Sequence, residues 1–132
     1  MNYFDILFLV GRILYGGYFI MAGLNHFTKT EMLAGYAASK GVPLPKIAVL
    51  GSGTLIVLGG IGVLLGAYVE WAVLALAVFL VVVSFTMHAF WADADPNMKM
   101  GDMTNFLKNM ALLGAALLLL SIPTPWIYSF AF

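Results

Sequence analysis

Apolar residues in this chain do not alternate with polar ones. They come in long blocks divided by two polar stretches. The block from Ala72 to Phe90, AVLALAVFLVVVSFTMHAF, holds no acidic side chain, lysine or arginine and has no polar stripe. A helix on the surface of a water-soluble domain keeps one polar face. At about 1.5 Å per residue, a helix of this length covers the roughly 30 Å hydrocarbon core of a bilayer. The block is therefore predicted to cross a membrane. The same reasoning places spans at about 4–24, 46–67, 71–91 and 104–122. The expected fold is all-α: a polytopic membrane protein built as a four-transmembrane-helix bundle, one transmembrane domain over residues 1–132.

The connections carry their own signals. In residues 25–45, Thr28 and Glu31 have the spacing of a capping box. Met32, Leu33, Tyr36 and Ala37 then fall at helical spacing, and Gly41 is placed to end the segment. A short interfacial helix between the first two spans is expected there. Pro43 and Pro45 end it, and Pro45 suits the first turn of the next span. That second span is rich in glycine, with Gly51, Gly53, Gly59, Gly60, Gly62 and Gly66. Small residues mark faces where helices approach closely in lipid, so Gly59 and the GxxxG pair Gly62 and Gly66 are predicted packing positions, within the chain rather than between copies. The turn at residues 67–71 is short enough to make spans two and three antiparallel neighbours. A polar loop at 92–103 leads to the fourth span, with Asp102 or Thr104 as its cap. After Pro123 and Pro125, the residues Trp126, Tyr128, Phe130 and Phe132 have the character of an interfacial aromatic belt.

Composition sharpens this picture. The 132 residues are 63% hydrophobic and 9% charged, with zero net charge. Soluble domains carry about 25% charged residues, so much of this surface must face lipid. No basic patch offers itself to nucleic acid. There is no cysteine, which excludes disulfide, thiol-redox and cysteine-ligated metal chemistry. Lys29, Lys40, Lys46 and Lys99 lie on the side of the two polar loops, which the positive-inside rule places in the cytoplasm.

Candidate chemistry gathers at that same end. Asn25 and His26 close the first span, His88 and Trp91 close the third, and Asn105, Lys108 and Asn109 open the fourth at spacings of three and four. In a four-helix bundle these ends converge. They predict a polar pocket at the membrane boundary, suited to the head group of a lipid or to a quinone ring. Histidine and lysine donate to quinone carbonyls, an aromatic ring stacks on the head, and imidazole exchanges protons near neutrality. The plainer alternative is that these residues satisfy helix ends and anchor the interface. Two histidines with Asp93 and Asp95 are too few for a predicted metal site. Arg12, two turns into the first span, needs a partner, and Glu70 is the expected one. No catalytic constellation is present.

The segment GRILYGGYFIMAGLNHF resembles the opening of the DoxX family of small four-helix membrane proteins. YAASKGVPLP before a glycine-rich span, and HAFW followed by NFLKNMALLGAALLLL, resemble its later segments in the same order. The matching positions are Arg12, Gly23, Asn25, His26, Pro43, Gly59, His88, Trp91, Lys108 and Asn109. The family takes its name from a small subunit of an archaeal terminal quinol oxidase. The resemblance therefore implies an accessory subunit of a quinol-linked redox complex in a prokaryotic inner membrane, not catalytic alone, with quinone as the one cofactor in view. Its partners would be the lipid bilayer and a membrane protein or further copies of itself. Remote relatives of this shape perform thiol–disulfide exchange, which the absence of cysteine rules out here. Two other readings stand beside it: a scaffold whose glycine faces bind partner helices, and a small oligomeric transporter.

Overall fold

The computed structural model describes residues 1–130; Phe132, placed above in the aromatic belt, lies outside them. Helix α1 runs over Tyr3–Thr28, α2 over Thr30–Ser39, α3 over Pro45–Leu65, α4 over Val69–Thr86 and α5 over Pro96–Leu119, with a 3₁₀ turn at Phe90–Ala92 before α5. The described residues form no strand. Three segments are long and apolar enough to cross a membrane: Tyr3–Thr28, Pro45–Leu65, and Val69–Ala92. The predicted fourth span falls on α5, whose apolar half begins only after Asn109.

Local chemistry explains most of the boundaries. Asn2 and Asp5 form a reciprocal capping box at the start of α1, with bonds of 2.9 and 3.0 Å. The box expected at Thr28 and Glu31 does not form. Thr28 is still helical, Lys29 breaks the chain, and Thr30 turns its hydroxyl back to donate to the His26 carbonyl at 2.7 Å. Helix α2 ends in a Schellman arrangement. Gly41, at φ +80°, donates to Ala38, and Val42 donates to Ala37 while packing beside Ala37 and Val49. Pro45 occupies the first turn of α3. Helix α5 starts earlier than expected: Asp95 accepts from the Asn97 N–H at 3.1 Å, and Pro96 follows as the first helical residue. Asp102 is thus not a cap but an interior helical residue.

The helices form a row rather than a closed square. α1 packs on α3, α3 on α4 and α4 on α5, while α2 folds across α3 and touches α1. No Cα of α1 comes within 8 Å of one in α5. The α1–α3 crossing rests on glycine pairs spaced a heptad apart on each helix. A Cβ on Gly16 would lie 2.7 Å from the Gly60 carbonyl oxygen, and one on Gly23 would lie 2.8 Å from that of Gly53. The order of these pairs makes the two helices antiparallel. Gly59 and Gly62 face the other way, toward Leu76 and Ala72 of α4. Packing within the chain is therefore what Gly62 does. Gly66 corrects the GxxxG reading: it is the C-cap of α3, held at φ +68°, a left-handed conformation that an L side chain adopts with strain.

Arg12 also corrects the expectation. It does not pair with Glu70, which is exposed and makes no ion pair among the described residues. Arg12 is 2% exposed and donates to backbone carbonyls: Val63 at 3.2 Å, Leu64 at 2.8 Å, Ile127 at 2.5 Å and, more weakly, Tyr128 at 3.5 Å. The last turn of any helix leaves carbonyls without partners and a partial negative charge. Arg12 meets both needs at the end of α3, and the Phe130 N–H takes the Leu65 carbonyl beside it. The tail folds back onto α1 and the end of α3. Trp126 is not in an interfacial belt; it is 3% exposed, edge-on to Phe8 at 5.1 Å, and near the guanidinium. Tyr128 and Phe130 remain exposed.

Candidate functional site

Where α1 and α5 part, a cavity of about 360 Å³ opens between them. Its walls are apolar for the most part. Phe19 and Ala22 come from α1, Val49 from α3, Phe79 and Leu80 from α4, and α2 covers it with Leu33 and Tyr36. Four of the seven residues expected at a head-group site line it: His26, His88, Lys108 and Asn109. The other three do not. Asn25 is exposed on α1, Asn105 accepts from Lys108 Nζ at 3.4 Å along α5, and Trp91 joins Phe85, Phe90 and Phe106 in an aromatic group outside the cavity. Lys108 lies 6.0 Å from the Tyr18 ring centre, a marginal cation–π distance.

Both imidazoles are held by Nδ1. His26 lies within α1, and its Nδ1 is 2.8 Å from the Ala22 carbonyl oxygen. His88 sits in the turn after α4, and its Nδ1 is 3.1 Å from Asp102 Oδ1. A carbonyl or a carboxylate can only accept, so each Nδ1 carries the hydrogen, and in a neutral ring Nε2 is the bare acceptor. Neither Nε2 has a protein partner. Among the described residues the one side-chain nitrogen or oxygen that is both buried and unpartnered is Asp93 Oδ2. Both Nε2 atoms therefore reach open space, and both rings line the cavity.

Behind His88 stands an ionic cluster that the sequence reading missed. Asp102 is 3% exposed and accepts from Lys40 Nζ at 2.5 Å, from His88, and from the Tyr36 hydroxyl at 3.4 Å. Asp93 lies 3.6 Å from the same ammonium. Burial works to raise the Asp102 carboxyl, but hydrogen bonds from Lys40 and His88 outweigh it and hold it at about 2. The bond to Asp102 raises Lys40 above its ordinary value against the opposing effect of burial. Tyr36 is raised by burial and then by the charge on Asp102. Two acidic side chains thus face one ammonium, with a histidine between them and the cavity. The cluster ties α2, the 3₁₀ turn and α5 together at the loop end. No group of three His, Asp or Glu side chains among the described residues has metal-binding geometry.

Asp102 was legible only as a helix start. Asp95-Pro96 is the better cap and first-turn pair; it would have moved α5 forward and put Asp102 one and a half turns inside a helix, where an acid needs a partner.

A family model described as DoxX matches residues 7–89, from α1 through α4 to the turn that holds His88. The match includes His26, Lys40 and His88 and stops short of Asp93, Asp102 and Lys108. Comparison with curated proteins and with solved structures found no match.

Proposed function

The chain belongs to the DoxX family of membrane proteins, and from that premise we propose that it holds the oxygenated head of a membrane amphiphile, a quinone above all, as an accessory subunit of a quinol-linked complex. The observation that carries this reading is the cavity itself. About 360 Å³ lies within the range of small-molecule sites, roughly 300–1,000 Å³. Its apolar lining suits a flat ring, with half-buried Phe79 as a stacking face. Its few polar groups are the kind that orient two oxygens on a ring: imidazole nitrogens, the Lys108 ammonium and the Asn109 amide. A tail would leave along the apolar helices, where the backbones of α1 and α5 stand apart and side chains such as Tyr15 bridge them. In this reading α5 is the fourth span, its polar half lining the head-group site and its apolar half from Met110 to Leu119 lying in lipid. The loop end faces the cytoplasm of a prokaryotic cell, following its lysines.

The test is binding of a decyl-tailed benzoquinone to the purified chain in nanodiscs. Saturable binding is expected, with loss of at least about tenfold in affinity for Ala22→Trp, which fills the cavity, and for Lys108→Ala, which removes a donor to a ring oxygen. Equal binding by both variants would remove the head-group site. Orientation is read separately: the chain has no cysteine, so Lys99→Cys gives a single thiol whose labelling from one side of intact cells fixes the loop end.

A further inference from the structure

His26 and His88 both line the cavity and each leaves Nε2 accessible and without a protein partner, yet their backing differs. Nδ1 of His26 rests on a backbone carbonyl, whereas Nδ1 of His88 rests on a carboxylate. A carboxylate behind an imidazole favours the imidazolium, because the added charge is met at once. Two carboxyl groups, Asp93 and Asp102, also face the single ammonium of Lys40. Asp93 Oδ2 is buried without a partner, on a side chain only 8% exposed. A proton on His88 would add a second positive charge to this acidic cluster.

We propose that the His88–Asp102 pair makes the cavity discriminate between the two redox forms of its occupant, by taking up or giving out one proton. This deepens the head-group reading and rests on it. Neutral His88 presents a lone pair at Nε2 and accepts from the hydroxyl of a hydroquinone. Protonated His88 presents an N–H and donates to the carbonyl of a quinone, which has no hydrogen to give. The proton that separates the two states moves between Nε2 and water; no electron is transferred and no bond in the ligand breaks. The quinone form therefore selects imidazolium, whereas a quinol hydroxyl, which both donates and accepts, binds either state. By linkage, acidification must strengthen quinone binding and change quinol binding much less.

Several groups face this ring or share its cavity: Asp102 and Lys108 from α5, Lys40 and Tyr36 from α2, Asp93 from the turn, and His26 from α1. Of these, His26 is the one other imidazole. It has no carboxylate behind it, so it serves as the control.

The experiment measures affinity of the whole chain in nanodiscs for a decyl-tailed benzoquinone and for its hydroquinone, from pH 5 to pH 8. Neither probe titrates in that interval. Quinone affinity is expected to fall by about tenfold or more as pH rises, as one linked proton dictates, while hydroquinone affinity changes much less. His88→Gln, whose amide both donates and accepts, should bind both probes with flat profiles. Asp102→Asn should shrink the quinone slope, and His26→Gln should leave the difference between the two profiles in place. Binding of both probes with profiles that are both flat, or that slope equally, overturns the redox-form discrimination and leaves the head-group site standing. Absence of binding by either probe overturns the head-group site, and this inference with it.

Discussion

Replacement of Gly60 by alanine tests the crossing on which the row of helices depends. An added Cβ would sit 2.7 Å from the Gly16 carbonyl oxygen, and 3.0 Å from both the Ile20 amide nitrogen and Ile20 Cγ1. Carbon–oxygen contacts between close backbones settle at about 3.3–3.6 Å, so the helices must part by more than about half an ångström. Two of the three obstacles are backbone atoms, and no rotamer change removes them. A gap of about 0.5–1 Å forfeits a quarter to a half of each dispersion contact it opens. In lipid those contacts are a principal force holding helices together. The expected loss is about 1–3 kcal/mol, the usual range for overpacking. Gly51 lies on the same helix with nothing within 4 Å of its would-be Cβ. There alanine should be neutral, or stabilising by up to about 1 kcal/mol, through helix propensity. Reversible unfolding in mixed micelles with rising dodecyl sulfate, followed by circular dichroism, compares the two. Equal shifts for Gly60→Ala and Gly51→Ala would refute the close crossing.

Other consequences are as direct. Arg12→Gln removes charge-assisted bonds worth about 1.5–3 kcal/mol each and leaves carbonyls of Leu64 and Ile127 unmet, so it should destabilise the chain and make the tail beyond Pro123 more susceptible to limited proteolysis. Asp102→Asn weakens the bonds from Lys40 and His88 but leaves Asp93 beside the ammonium, so it should cost about 1.5–3 kcal/mol, as read by the same unfolding titration. Asp102 has its carboxyl lowered on folding, so its contribution is in full force above its ordinary value of 3.8 and is lost as pH falls toward about 2; unfolding midpoints between pH 4 and 2 should drop for the wild type and much less for Asp102→Asn. Lys40 is shifted upward, so its contribution holds below its ordinary value of 10.5 and fades as pH climbs past it, which Lys40→Met should abolish at alkaline pH.

Apolar blocks were enough to read a helical membrane protein, because lipid leaves the backbone few choices. Placing His26, His88, Lys108 and Asn109 around one cavity also followed from the sequence, since both long connections leave from the same end. What failed was partner choice. Glu70 was the nearest acid to Arg12 by topology, yet the orphan carbonyls of α3 and of the folded-back tail were closer and needed donors. No spacing rule shows a backbone carbonyl as an available partner. Trp126 was misplaced for the related reason that the tail returns onto α1 and the end of α3. Asp102 was misassigned because its helix was begun too late. The glycines split by face: Gly62 pointed to α4, Gly66 ended its helix, and the closest crossing used Gly16, Gly23, Gly53 and Gly60, whose heptad spacing was present in the sequence but went unread.

The row arrangement has a mechanical corollary. α1, α3 and α4 meet through glycine and small side chains, backbone nearly on backbone, which leaves little slack for them to slide or swell. α5 is joined by its backbone to α4 and the 3₁₀ turn alone. Across the gap it is held by side chains: the Tyr15 hydroxyl on the Leu112 carbonyl at 2.6 Å, Lys108 beside the Tyr18 ring, Ala116 in the shared core, and Asp102 reaching α2. Between α1 and α5, therefore, side chains rather than backbone close the molecule, and it is their size that sets the width of the space a guest would fill.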